Sequence, residues 1–342
     1  MTVLITGGAG YIGAHIVRLA HQIGRDVVVV DDLSTGDRAR IAGTPSHCLD
    51  VAEPSSIGEL TELMRFARVT AVVHLAARKQ VAESMTRPAW YFQQNVTGLA
   101  NVLTAMEAAN VHRLVFSSSA AVYGDPATEV VTEDSATCPV SPYGETKLIG
   151  EWLARDAARA WGLRCVSLRY FNVAGAGWPD LGDPEIGNLV TMVLDRLSRG
   201  ERPQVFGNNY PTPDGTCVRD FVHVMDVARA HLAALDYAAR PVRAHDVFNV
   251  GTGIGSSVLE VVSGLLTVAG ARVAADVTTP RPGDAANFVA SVDRISSALG
   301  WRARAGLDEI LASAWRAWQP RPVTADVRAP GLPEDHGPRS TP

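Results

Sequence analysis

The chain has 342 residues, of which 46% are hydrophobic and 20% charged, and it carries a formal net charge of −5. Those proportions fit a globular protein with enough material for one large α/β unit or two domains. No basic block offers a surface for nucleic acid or an anionic membrane, and no run approaches the ~20 apolar residues of a membrane span. The four cysteines, Cys48, Cys138, Cys165 and Cys217, are far apart with no CxxC. Neither a disulfide framework nor a zinc site is suggested, and the scattered histidines give no metal spacing. The opening "MTVLITGGAG" lacks the basic start and cleavage site of a signal peptide, so a cytoplasmic location is expected.

Short β-branched runs alternate with helical patterns through the first half. "VLIT" leads into a helix, and "VVVV" (27–30), "AVVHLA", "RLVFSSS" and "CVSLRYF" follow in turn. Continuous apolar runs of this kind are strands buried on both faces, as in a parallel sheet covered by helices. "HIVRLAHQIG" and "NVLTAMEAAN" carry helical periodicity between them. The expected fold class is therefore α/β, a doubly wound parallel sheet of the Rossmann type. After position 171 the pattern loosens into a region rich in Pro and Gly, until "FNVG" (248–251) reads as another strand. The expected division is a nucleotide-binding domain from 1–175 plus about 224–250. A smaller, interleaved α/β lobe takes about 176–223 and 251–319. Residues 320–342, proline-rich with almost no aliphatic run, read as a disordered tail.

"LITGGAGYIG" spaces Gly7, Gly10 and Gly13 three apart, directly after a strand and at the start of a helix. In that setting glycines let the backbone turn sharply and approach a pyrophosphate, whose charge meets the helix N-terminus. Asp31 ends the second strand about twenty residues on, where a carboxylate binds the adenine ribose hydroxyls. Asp31 and its neighbour Asp32 would repel a 2′-phosphate, and no Arg or Lys follows until Arg38. The cofactor expected is NAD rather than NADP.

"SPYGETK" (141–147) sets Tyr143 and Lys147 four residues apart behind a proline. That spacing puts both on one helix face, with Cβ atoms about 5–6 Å apart. A free tyrosine keeps its proton to a pKa of about 10; a neighbouring cation favours the phenolate and makes it usable as a base. An ordinary exposed helix face would look the same.

Together the glycine turn, "FSSSAAVYG" and "SPYGETK" resemble the extended short-chain dehydrogenase/reductase family. The resemblance implies that Ser119 hydrogen-bonds the substrate hydroxyl and that Tyr143 accepts and returns its proton. It implies that Lys147 holds the nicotinamide ribose and lowers the tyrosine pKa. Within that family the chain is similar to the UDP-hexose 4-epimerase branch from about position 3 to 318, through "HLAARKQVAES", "LRYFNVAGA", "FGNNYPTPDGTCVRDFVHVMD" and "RPGDAANFVAS". By position, the likeness implies that Gly7, Gly10, Tyr11, Ile12 and Gly13 line the NAD. Asp31, Asp32, Leu33, Ser34, Thr35, Gly36, Asp50 and Val51 would do the same. So would Leu75, Ala76, Ala77, Arg78, Lys79, Asn95, Ser119, Tyr143, Lys147 and Phe171. It implies a nucleotide-sugar site of Lys79, Ser119, Tyr143, Asn172, Asn188, Leu189, Gln204, Val205, Phe206, Arg219, Arg281, Asp284 and Phe288, with no metal, and a homodimer.

Arginine offers a planar fork of donors suited to the diphosphate of a UDP-sugar. Arg219 could instead pair with Asp220, and Arg281 could be a solvated turn residue. Departures from the branch are Ala121 where a threonine is frequent, Thr191 where a proline is common, and Gly187 before Asn188 where a further Asn is frequent. The activity implied is transient oxidation of the sugar at C4, rotation of the flat 4-ketose, and re-reduction from the other face. Phe288, bulky, implies a preference for UDP-glucose and UDP-galactose over their N-acetylated counterparts. An epimerase for another UDP-sugar is the runner-up. A 4,6-dehydratase needs an Asp-Glu pair where this chain has Ala120 and Ala121, and a non-catalytic NAD-binding regulator would be free to lose Tyr143 or Lys147. His74 reads as structural or near the cofactor, and Trp90, Tyr91 and Phe92 as core or interface.

Overall fold

The valine-rich runs form strands because β-branched side chains pack well on a pleated surface covered from both sides. The protein, seen in a computed structural model, is described over residues 1–126, 128–240, 244–281 and 284–318. One sheet contains β1 (Thr2–Thr6), β2 (Asp26–Asp31), β3 (Ser46–Cys48), β4 (Val69–His74), β5 (Arg113–Ser119), β6 (Arg164–Tyr170) and β7 (His245–Val250). All pairings are parallel and the order is β7-β6-β5-β4-β1-β2-β3. The chain reverses its direction of travel between β1 and β4, which opens a crevice at their carboxyl ends, the place where such sheets bind ligands. Only the edge strand β3, three residues long, was without a legible pattern in the sequence.

Alternation along β1 builds the two cores. Val3 and Ile5 face a cluster with Ile16 and Val17 of the Tyr11–Gln22 helix and with Val227 and Leu235 of the Val224–Ala238 helix. Leu4 points the other way, to Leu60, Met64, Leu99, Val102 and Met106. Each such fully buried aliphatic side chain contributes about 1.5–3 kcal/mol.

A second sheet is centred on Val218–His223, which pairs with Asn172–Ala174, Gly255–Ser257 and Asn287–Ala290; the last also pairs with Val130–Val131. Val130–Val131 and Asn172–Ala174 join it although both fall within 1–175. Strands of two or three residues are too short to carry an alternation. Val190, Leu194, Phe221, Val261, Leu265, Ile310 and Leu311 form a separate core in this lobe. The tail expected at 320–342 lies outside the described residues. Among the described residues no helix is long and apolar enough to cross a membrane.

Candidate active site

β1 delivers the chain into the glycine turn. Gly7 has φ +71°, and a Cβ there would stand 2.7 Å from the backbone nitrogen of Ala76, so the turn can lie against the loop after β4 only with glycine. The following helix starts at Tyr11 with no side-chain cap and no acid in its first turn. Its free N–H groups therefore open onto the cleft, as an anion requires. That cleft is lined by Gly7, Gly10, Tyr11, Ile12 and Gly13, by Asp31, Asp32, Ser34, Thr35, Asp50 and Val51, and by Leu75, Ala76, Ala77, Arg78 and Lys79. A dinucleotide fits this donor set: uncapped helix amides for its phosphates and a buried acid for a ribose. Asp31 accepts from the N–H of Ala9 at 2.9 Å and of Leu33 at 2.9 Å, leaving lone pairs for hydroxyls. Burial raises its pKa, and those two amides oppose the rise.

Seven expected cofactor residues do not line it: Ser119, Tyr143 and Lys147, which form the cluster after β5, and Leu33, Gly36, Asn95 and Phe171. Leu33 holds Asp31 through its amide, and Gly36 sits against the Asp31 carboxylate. Asn95 is buried and ties the Arg78 backbone to Thr146 of the Tyr143 helix. Phe171 packs on Phe288, ring centres 5.0 Å apart. Leu49, Gln94, Pro184 and Glu185 line the cleft without any signal in the sequence. Glu185 reaches it because Lys79 Nζ lies 3.2 Å from its carboxylate and Gln80 Nε2 donates to it at 3.0 Å. The structure also corrects the charge inventory: although no cation follows Asp32 in sequence until Arg38, Arg78 donates to Asp32 at 2.7 Å.

β5 ends at Ser119, in register with Tyr170. The Pro142–Trp161 helix begins with Pro142 in its first turn and with Ser141 Oγ accepting from Gly144 N–H at 3.2 Å. A Cβ on Gly144 would meet the Ala121 carbonyl at 2.6 Å, so glycine lets the helix lie against the loop after Ser119. Ser119 stands beside Tyr143 and favours its charged form, while Ser119 Oγ accepts from the Ala121 N–H at 3.1 Å. Lys147 Nζ lies 5.8 Å from the Tyr143 ring centre and donates to the Ser117 carbonyl at 2.9 Å. Burial raises the phenol pKa, partly countered by Ser119, and burial pushes Lys147 down to about 8. The lowering of the phenol by Lys147 is therefore not a property of the bare protein: both charged forms are desolvated, and the ammonium is engaged elsewhere. His74 is structural, bonded to Thr6 Oγ1 at 2.8 Å; burial, then Lys147, lowers it to about 3. Tyr91 is buried, its hydroxyl on Gln80 and Glu83, whereas Trp90 stacks with Arg87 at 3.8 Å.

In the second lobe Arg219 donates to the carbonyls of Val218 (2.9 Å) and Ala285 (2.6 Å) and lies 3.5 Å from Asp284. It is not paired with Asp220, whose carboxylate accepts from Thr252, Gly253 and Ala290. Arg281 covers the Phe206 ring at 3.7 Å. Arg219 and Phe288 are register partners on adjacent strands, so the arginine and the aromatic cluster share one sheet. Gln204 and Val205 share a short strand with Phe206, and Val205 is buried in the lobe core, so its side chain is turned away from any ligand. Asn172 pairs with Phe221. Asn188 caps the Leu189–Ser198 helix, accepting from Thr191 N–H at 3.1 Å and donating to Asp183 at 2.9 Å, and Leu189 packs on the lobe core. Thr191 completes the capping box, a use for the hydroxyl that a proline could not supply.

Residues 3–251 match the family described as the NAD dependent epimerase/dehydratase family. The chain belongs to that family. It is 42% identical to the UDP-glucose 4-epimerase of Azospirillum brasilense, over 99% of this chain and 97% of that protein. Among solved structures of the family it resembles the UDP-glucose-4-epimerase of Stenotrophomonas maltophila with bound NAD and formylated UDP-arabinopyranose. There the TM-score is 0.88 and the identity 40%, over 93% of this chain and 97% of that one. The Bifidobacterium longum UDP-glucose 4-epimerase in complex with NAD+ and UDP matches with a TM-score of 0.84 and 33% identity, over 93% and 98% of the two chains.

Proposed function

We propose that this protein interconverts UDP-glucose and UDP-galactose at C4, with NAD as its resident cofactor. The observation that carries the reading is Ser119 beside Tyr143, with Lys147 one turn along the same helix, tied through Thr146 and Asn95 to the Arg78 backbone at a cleft whose donors suit a dinucleotide. NAD, when bound, supplies the oxidant and reductant for C4 and brings a positive ring charge to a site whose own residues disfavour the phenolate. Ser119 Oγ orients the C4 hydroxyl, and Tyr143 Oη takes its proton and gives it back. Lys147 supports the oxygen while its Nζ stays anchored on the Ser117 carbonyl. Arg219 and Arg281 hold the diphosphate while the hexose turns between the two proton transfers. Phe288, wedged on Phe171, limits the room beside the sugar.

The seven-stranded sheet with its helices acts as the cofactor domain, and the lobe around Val218–His223 as the sugar-nucleotide domain. The working form is a cytoplasmic homodimer. Unpaired cysteines suit a reducing compartment, and Trp152, 46% exposed on the Tyr143 helix, gives that helix an apolar contact for a second copy. Incubation of the purified chain with UDP-galactose, without added NAD, tests the reading: UDP-glucose appears if it holds, and unchanged UDP-galactose overturns it. A panel of UDP-sugars then ranks the substrates.

A further inference from the structure

Glu185 reaches the cofactor cleft from the far side of the molecule's two-lobed plan. Residues 183–188 lead into the Leu189–Ser198 helix, whose Val190 and Leu194 sit in the core of the second lobe. Pro184 and Glu185 nevertheless form part of the cleft wall. The Glu185 carboxylate grips the loop after β4 at two points: Gln80 Nε2 donates to it at 3.0 Å, and Lys79 Nζ lies 3.2 Å away. Lys79 Nζ also stands 3.9 Å from Asp183. The two lobes are therefore joined along the rim of the cleft.

Both sides of this grip are braced. The Gln80 N–H donates to the hydroxyl of buried Tyr91 at 3.0 Å, which fixes the backbone on the β4 side. On the other side, Asp183 accepts from the Glu185 N–H at 3.2 Å and from Asn188 Nδ2 at 2.9 Å, so residues 183–188 are tied to their own helix cap. Gly187 lets the two sides touch: a Cβ there would stand 2.5 Å from Gln80 Nε2 and push that amide off Glu185. This gives a physical reason for glycine at 187, one of the chain's departures from its branch. The Glu185 side chain is 24% exposed, so its contacts are screened less than those of a fully solvated pair.

We propose that residues 183–188 are a strap on the wall of the cofactor cleft and that Glu185 is its clasp, holding the dinucleotide against exchange with solvent. The proposal rests on the NAD-binding reading above and adds to it a residue that governs how long the cofactor stays. A reaction that takes a hydride from C4 and returns it to the same sugar gains nothing from cofactor release. Loss of the reduced dinucleotide in mid-cycle would strand the 4-ketose. For the dinucleotide to leave, the loop after β4 and the strap have to part, and the Glu185 contacts oppose that. Its carboxylate is not a bare anion facing the phosphates, because Lys79 and the Gln80 amide are matched to it. The phosphates are left to the free N–H groups at the start of the Tyr11–Gln22 helix.

The test is exchange of bound cofactor on the full-length holoprotein. Wild type, Glu185→Ala, Gln80→Ala, Gly187→Ala and the double variant Glu185→Ala/Gln80→Ala are saturated with NAD, desalted and mixed with excess radiolabelled NAD. Uptake of label by the protein is followed over time. Glu185→Ala is expected to exchange about tenfold faster than wild type, the scale of one charge-assisted hydrogen bond. Gln80→Ala and Gly187→Ala leave the Lys79 contact in place and should each speed exchange by a smaller factor. Gln80→Ala, on the other loop, also covers the case in which a variant of the strap does not fold. The double variant should match Glu185→Ala, since the Gln80 amide acts through Glu185. Exchange at the wild-type rate in Glu185→Ala or in Gln80→Ala overturns the proposal, as do slower exchange in either and effects that multiply in full in the double variant. In each of those cases wild type still holding NAD leaves the functional reading standing. Wild type that holds no NAD overturns both.

Discussion

Glu151 and Arg169 form a two-pronged ion pair directly behind the reaction cluster, with Nε to Oε1 at 2.8 Å and Nη2 to Oε2 at 2.6 Å. Their side chains are 4% and 6% exposed. Glu151 follows Tyr143 by eight residues on one helix, two turns along the same face, and also accepts from the Ser118 hydroxyl at 2.5 Å. The pair thereby locks the tyrosine helix to the strand end that carries Ser119.

Removing one partner of a buried pair leaves an uncompensated charge, a cost of about 3–5 kcal/mol. Glu151→Ala is expected to lose that much in denaturant unfolding, and Glu151→Leu with Arg169→Met to recover most of it. A single-variant loss under about 1 kcal/mol would show that the pair is weakly held.

Phe288 is held by Phe171 at 5.0 Å and by the edge of Tyr123 at 6.4 Å, so it cannot swing aside freely. Phe288→Ser should raise kcat/KM for UDP-N-acetylglucosamine by at least about 10–200-fold, the usual value of one methylene of pocket room, with a smaller change for UDP-galactose. Equal turnover of the two sugars by wild type would contradict this gate.

Burial lowers Lys147 from 10.5 to about 8. Between those values the unfolded chain binds more protons than the folded one, so this residue makes stability rise with pH across the window. The full penalty is present below pH 8. Lys147→Met removes it, so in nucleotide-free protein the variant's stability relative to wild type should fall by roughly 3 kcal/mol from pH 7 to 10.5. Urea titrations at several pH values measure it, and a difference that grows with pH would contradict the assignment.

What could be read from the sequence was whatever is local. Strands such as β2 and β6 are continuous apolar runs, the Tyr143–Lys147 spacing is a single helical turn, and the glycine turn is contiguous. What escaped is contact between distant segments: Arg78 on Asp32 is 46 residues away, and Gln80 on Glu185 is 105. Neither has a periodic signature, because each depends on how the loops after β2, β4 and the second lobe converge. The burial of Tyr143 escaped for a related reason. Helical spacing fixes how near Lys147 comes, but the degree of burial, which decides the sign, is a property of the whole fold.

Proton transfer by the Tyr143 oxygen is measured most directly by the rate of UDP-galactose to UDP-glucose conversion by Tyr143→Phe. A fall of about 10²–10⁴-fold in kcat is expected, the usual worth of a positioned acid–base group, with NAD still retained through desalting. Conversion at the wild-type rate would contradict it.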